Sequence, residues 1–390
     1  MSPKNATPSL TWSGVTARRL ARHALTAPSA DLGPAGIAGV LCGAHAQIMS
    51  AAELSIGRRI VGATRRDVRS ALWEHRTLVK TFGPRGTAHL VAAVDLPMWT
   101  GALSALPSSV PMHPDPVRFT PGQAEEVIAA IGDALSEAEL TVDELTDAIV
   151  ARTGPWAGER TMEAFQDRWP RWRQLSSTAA HRGVLCFGPN RGRNVTYTNP
   201  HRWLPGFRPD DADRALRTLV ARYLYAYGPA TPHHFARWLG IPPPHAVRLF
   251  DDLADDLEPV ELEGEPCWVA AGDTETPHAP HRGIRLLPYF DAFVVAGQPR
   301  ERLYPGPAAT RALTPAGQAG NHPVMLVDGV VGGVWHQRRS GRRLAITAEP
   351  LREPTRGQRR QLDEETELVG TVLEARATLT VGAVTVGPHA

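Results

Sequence analysis

His45 and Gln47 stand one alanine apart in the run Gly43-Ala44-His45-Ala46-Gln47-Ile48-Met49. An imidazole and a carboxamide each offer hydrogen-bond donors and acceptors without a permanent charge. In extended backbone, residues two apart point to the same side, whereas on a helix they diverge. The pair can therefore converge on one target only if its segment is a connection. The next residues suggest where that connection ends. Ser50 followed by Glu53 has the spacing of a capping box, with Met49 and Leu54 placed for the accompanying hydrophobic staple. The spacing predicts a helix from Ser50, with His45 and Gln47 leading into it. It equally describes an ordinary loop with two surface polar residues.

The surrounding elements follow from apolar periodicity and capping residues. Residues 1–9 read as disordered. Residues 11–25 carry Leu, Val and Ala at helical spacing beside Arg18, Arg19 and Arg22, a basic amphipathic helix. An apolar helix over 37–42 ends near Gly43, and Thr64-Arg65-Arg66-Asp67 opens another to about His75. Residues 77–82 and 87–94 read as strands joined by Gly83-Pro84-Arg85-Gly86. Short helices followed by a two-stranded ribbon are the layout of a winged helix. The order recurs. Thr120-Pro121 opens a helix over 121–135, Thr141 caps one to about Arg152, and 169–182 reads as a third before strands over 184–187 and 195–198. A third copy has helices over 211–227, 231–239 and 244–253 and a strand near 259–262.

From His281 the pattern turns to strands, with apolar runs at 283–288 and 293–296 and an Asp328-Gly329 hairpin signal. A second hairpin turns near 337–343. A polar helix over 355–368 precedes a last strand over 378–386. The fold class predicted is α+β: three tandem winged-helix units at 10–100, 118–205 and 208–275, then a small C-terminal β-barrel domain at 282–388.

A chain of 390 residues with 42% hydrophobic and 21% charged residues is globular. Its length suggests two to four compact units, because single cores rarely exceed ~250–300 residues. Net charge is only +2, but the positive side is nearly all arginine, the better fork for phosphate oxygens. Arg58, Arg59, Arg65, Arg66, Arg69, Arg76, Lys80 and Arg85 face only Asp67 and Glu74 between Ser55 and Leu90. A second cluster, Arg338, Arg339, Arg342 and Arg343, occupies the predicted hairpin tip. Such clusters are often solvated faces. On winged-helix and hairpin elements they point to nucleic acid, with salt-dependent affinity.

Three scattered cysteines indicate neither a disulfide framework nor a zinc site. No signal peptide or 18-residue apolar run is present, so a cytoplasmic location and no membrane partner are expected. GxSxG, Walker A, HExxH and strand-borne GxGxxG signatures are missing. The adjacent His233 and His234 diverge on a helix and do not share a metal; His278 and His281 read as linker residues. Asp291 reads as a structural acceptor for backbone N–H groups, the alternative being a carboxylate with a chemical task.

The stretch His45-Ala46-Gln47-Ile48-Met49-Ser50-Ala51-Ala52-Glu53-Leu54 resembles the signature of the AlkZ-like (YcaQ-like) winged-helix DNA glycosylases, in a His-x-Gln branch. Arg85-Gly86-Thr87-Ala88-His89-Leu90, Leu287-Pro288-Tyr289-Phe290-Asp291 and residues 327–335, VDGVVGGVW, match in the same order. The resemblance spans about Leu10 to Leu368. It implies a monofunctional DNA glycosylase that excises cationic N7-alkylated purines and unhooks interstrand crosslinks. Three unlike units in one chain suit a monomer, and double-stranded DNA at the bacterial nucleoid, with no cofactor and no metal, is the expected setting. His45 and Gln47 would be the catalytic pair, departing from the Gln-x-Gln and Gln-x-Asp forms at the first position. Arg58, Arg59, Arg65, Arg66, Arg85, Arg338, Arg339, Arg342 and Arg343 would bind DNA, with Arg58 and Arg59 holding phosphates beside the lesion. The rival readings are a winged-helix transcription regulator, indifferent to lesions, and a factor that sequesters an alkylating antibiotic without cutting DNA.

Overall fold

A computed structural model describes residues 7–107, 117–163, 168–277, 279 and 282–387. His278 and His281 lie outside the described residues. The chain forms two compact units. One holds the described residues up to Ala71, Val220–Trp238 and Pro243 onward; the other holds Leu72–Leu219 and Leu239–Pro242. The segment 10–100 is therefore shared between both.

The first unit begins with β1 (Ser9–Leu10), α1 (Trp12–Arg22), α2 (Pro34–Val40), β2 (Ala44–His45) and α3 (Met49–Gly57). Residue 9 is thus not disordered, because β1 runs parallel to a later strand, Leu10 beside Leu262. Thr11 caps α1 by accepting from the Gly14 amide. The helix α3 departs from expectation at its start. Ile48 is its N-cap and no side chain caps it. Glu53, nearly fully buried, instead takes salt bridges from Arg65 at 2.8 Å and Arg69 at 2.6 Å. Two guanidinium charges outcompete one backbone amide for that carboxylate.

The helix α4 (Arg65–Trp73) is capped by Thr64 and Asp67 as the spacing predicts. The second unit continues with β3 (Leu78–Phe82), β4 (Ala88–Ala92), α5 (Leu96–Ala105), α6 (Pro121–Glu137), β5 (Leu140–Thr141), α7 (Val142–Thr153) and α8 (Pro155–Gly158). β6 (Arg160–Glu163), β7 (Arg168–Pro170), α9 (Ser176–His181), β8 (Cys186–Arg191) and β9 (Asn194–Thr198) follow. Both α6 and α7 start on complete capping boxes, Thr120 with Gln123 and Thr141 with Glu144. The helix expected over 169–182 is a strand, a 3-10 turn and the short α9. Pro170 has no amide to donate, and the buried Trp172 donates to the Thr146 hydroxyl at 2.9 Å. Val127, Ile131, Leu145, Ile149, Trp172 and Tyr197 lie at the centre of this unit's core.

The helix α10 (Ala212–Tyr227) returns the chain to the first unit, where α11 (Pro232–Leu239), α12 (Pro243–Asp252) and the hairpin β10 (Leu257–Leu262) with β11 (Glu265–Ala270) follow. A five-stranded sheet then takes β12 (Ile284–Leu287), β13 (Val324–Val327), β14 (Val330–Ser340), β15 (Arg343–Pro350) and β16 (Arg376–Val381), in that order across the sheet. Three short helices, α13 (Ala292–Ala296), α14 (Arg300–Leu303) and α15 (Pro307–Ala312), fill the β12–β13 connection. The apolar run 293–296 is thus helical, because Asp291 caps it by accepting from the Phe293 amide. The last helix, α16 (Arg356–Val372), covers one face of the sheet.

That sheet and α16 anchor α3. Leu54 joins Ile284, Leu286, Trp335, Leu362 and Val369 in one buried cluster. A Cβ on Gly57 would lie 2.6 Å from Val372 Cγ1, so the two helices meet where only glycine fits without a shift. No helix among the described residues is long and apolar enough to cross a membrane.

Candidate active site

His45 closes the two-residue strand β2, and Gln47 sits in the bend before α3. The extended backbone of Ile48 (φ −111°, ψ 104°) ends the connection. The two side chains differ in cover. His45 is only 7% exposed, while Gln47 is exposed. The imidazole stacks on the ring of Phe290, with centroids 4.5 Å apart and planes 24° from parallel. The alternative reading, an ordinary loop with two surface side chains, therefore fits Gln47 and not His45. Nothing in the local spacing signalled Phe290, which sequence reading singled out only as part of a motif.

A buried polar network holds this geometry. Arg59, fully covered, donates to both oxygens of Asp291 at 2.8 and 2.7 Å, and the Ser55 hydroxyl donates to Asp291 Oδ2 at 2.7 Å. The remaining Arg59 donors reach the carbonyls of His23 and Ser55. Burial alone pushes the Asp291 carboxyl up. The Arg59 charge and the hydrogen bonds from Arg59 and Ser55 outweigh it and leave the group below its ordinary value. His23, packed in the same interior, is driven down to about 3 by burial and then by the Arg59 charge. Its Nε2 lies 3.0 Å from the Ala226 carbonyl.

Arg58 donates to Glu365 at 2.6 Å, and burial lowers its affinity for its proton. Glu365 also accepts the Leu286 amide at 2.8 Å. The expectation that Arg58 and Arg59 hold phosphates is corrected here. Their charges face internal carboxylates, and their side chains are 2% and 0% exposed. The Arg-Arg doublet gave no local sign of this, because both partners come from distant parts of the chain.

The other basic residues are placed variously. Arg65 is largely covered and serves Glu53 with Arg69, while Arg66 is 83% exposed and pairs Glu374 at 2.8 Å. Arg85 is half-buried in the turn Pro84–Gly86, with φ 60°. Arg338, Arg339, Arg342 and Arg343 are all exposed at the tip of the β14–β15 hairpin, where Ser340 pairs Arg343. Arg339 donates to the carbonyls of Gly341 and Leu373. Arg338, Arg342 and Arg343 have no ion pair among the described residues. No group of three or more His, Cys, Asp or Glu among the described residues could hold a metal. The arrangement therefore offers a covered imidazole beside an exposed carboxamide, and a free cationic hairpin.

A family model described as DNA glycosylase AlkZ-like matches residues 39–372. The chain is 33% identical over 340 residues to the interstrand DNA cross-link repair glycosylase of Streptomyces sahachiroi, covering 83% of this chain and 87% of that protein. The solved structure of the Streptomyces sahachiroi DNA glycosylase AlkZ matches with a TM-score of 0.82 at 28% identity, over 96% of this chain and 100% of that one.

Proposed function

This chain belongs to the AlkZ-like DNA glycosylase family and is a DNA glycosylase, and we propose that it hydrolyses the N-glycosidic bond of cationic N7-alkylated purines in double-stranded DNA. The name of the Streptomyces sahachiroi relative speaks of cross-link repair, which supports crosslinked duplex as a second substrate. The protein acts as a monomer. The segments 10–100, 118–205 and 208–275 work as winged helices, and 282–388 as a barrel-like body bearing the basic hairpin. The hairpins β3–β4, β8–β9 and β10–β11, each following helices, support that division.

Alkylation at N7 gives the purine a positive charge. When the C1′–N9 bond breaks, its electron pair neutralises the ring, and the base leaves without prior protonation. What remains is to deliver water to C1′ and stabilise the cationic sugar. Water oxygen bonds to C1′ and its proton passes to the neutral His45 imidazole. General-base help of this kind is typically worth ~10²–10⁴-fold. The Gln47 carbonyl orients the water or faces the developing positive charge. Phosphates are held by Arg338, Arg339, Arg342 and Arg343, with Arg66 and Arg85 as further contacts.

The observation that carries this reading is the His45–Gln47 pair at the start of α3, inside the matched segment 39–372. One observation favours a second reading of His45: its cover and its stack on Phe290 suit a packing role. In that case His45→Ala lowers Tm while base release survives. The test of the function is mass spectrometry of bases released from duplexes bearing N7-methylguanine or an interstrand crosslink. Free alkylpurine and intact-strand abasic sites are expected; tight binding to one DNA sequence with no released base contradicts the proposal.

A further inference from the structure

We propose that Phe290 is a positioning residue for the reaction, fixing the plane of the His45 imidazole; the inference rests on His45 acting as the base. Phe290 holds a backbone conformation that a bulky L residue rarely adopts, with φ +55°. Several contacts keep it there. Its amide donates to the Gly320 carbonyl at 3.0 Å. Gly320 itself (φ +98°) leaves no space for a side chain, because a Cβ would meet Phe290 Cδ1 at 2.8 Å and Val295 at 3.0 Å. The next residue, Asp291, is tied by Arg59 and Ser55. Ser55 belongs to α3 and Arg59 lies just beyond its C-cap Arg58, while Gln47 precedes the N-cap Ile48 at its other end.

The connections form a closed ring of constraints. His45 leads into α3, Ser55 and Arg59 grip Asp291, and the strained neighbour of Asp291 lays its phenyl on His45 at 4.5 Å. Unusual backbone geometry retained by its surroundings is a reason to look for function. A stacked ring contributes no proton and no charge. It sets the plane in which the imidazole lone pair points, and that lone pair must be aimed at water poised for attack. Small misplacements of a reacting group can cost ~10²-fold in rate.

The test uses Phe290→Gly, because glycine accepts positive φ and relieves the strain that alanine would keep. Single-turnover release of N7-methylguanine from duplex DNA is measured with Tm recorded in parallel. The expectation is a ~10–100-fold loss in the chemical rate, KM or duplex affinity within about twofold, an undiminished Tm, and recovery in Phe290→Tyr. If Phe290 acts through His45, adding Phe290→Gly to His45→Ala costs nothing further. Parent-like rates in Phe290→Gly while His45→Ala is inactive overturn this inference alone. Multiplying losses in the double variant also overturn it, since Phe290 would then act independently. A fully active His45→Ala overturns the reading of the base and the inference with it.

Discussion

Two arginine pairs with similar sequence settings have opposite fates. Arg58 and Arg59 follow directly on α3 and are sealed inside, each on a carboxylate. Arg338 and Arg339, with Arg342 and Arg343, stand exposed on a hairpin. In the interior a guanidinium is tolerable only when its charge and donors are matched, so Asp291 and Glu365 are structurally required. On the hairpin the charges remain available for phosphate. Local sequence is basic in both places; a distant carboxylate decides which arginine is sealed into the fold, and the exposed ones are those proposed to meet DNA.

The largest effect that sharpens this contrast comes from Asp291→Ala. It strands Arg59 without its counter-charge and should cost ~3–5 kcal/mol of stability, read as a fall in the urea midpoint. A near-neutral result would mean that water reaches the pair. Acid probes the same interior. The His23 imidazole is held at about 3 in the folded protein, against an ordinary ~6.5 when unfolded. The unfolded chain therefore binds the extra proton below ~6.5, and stability is complete above that pH. It falls by up to ~1.4 kcal/mol per pH unit on descending toward about 3. Urea titrations at neutral and mildly acidic pH should show that slope, reduced in His23→Gln.

The hairpin should behave in the opposite way. Replacing Arg338, Arg342 and Arg343 by Ala should reduce the slope of log affinity against log salt by up to ~3, at ~0.9 per lost phosphate contact. Stability should change by no more than ~0.5 kcal/mol per surface substitution. An unchanged salt slope would remove the hairpin from the DNA-binding surface. The smallest effect is expected from Arg66→Ala. Its exposed pair with Glu374 should contribute only ~0–1 kcal/mol to stability, so any marked loss of duplex binding would assign that arginine to DNA.

What could be read from the sequence was mostly local. Thr120 with Gln123 and Thr141 with Glu144 cap helices as their spacing says. The Asp328-Gly329 signal does turn a hairpin, between β13 and β14. The same spacing misled at Ser50 and Glu53, where Arg65 and Arg69 claim the carboxylate. The reading of Asp291 as an acceptor of backbone N–H groups agrees with its bond from Phe293. Its larger duty, holding Arg59 across 232 residues, left no local trace. The proposed pair, His45 and Gln47, could be singled out because motif order marked it. The cover over His45 was not legible, since it depends on Phe290 arriving from a distant part of the chain with a left-handed backbone.

The most direct measurement is single-turnover release of N7-methylguanine from duplex DNA by the parent and by the His45→Ala/Gln47→Ala double variant. Duplex affinity and Tm are recorded on the same samples. The account predicts that release falls by ~10²-fold or more while affinity for damaged duplex and thermal stability persist. Parent-like release from a folded, DNA-binding double variant would contradict it.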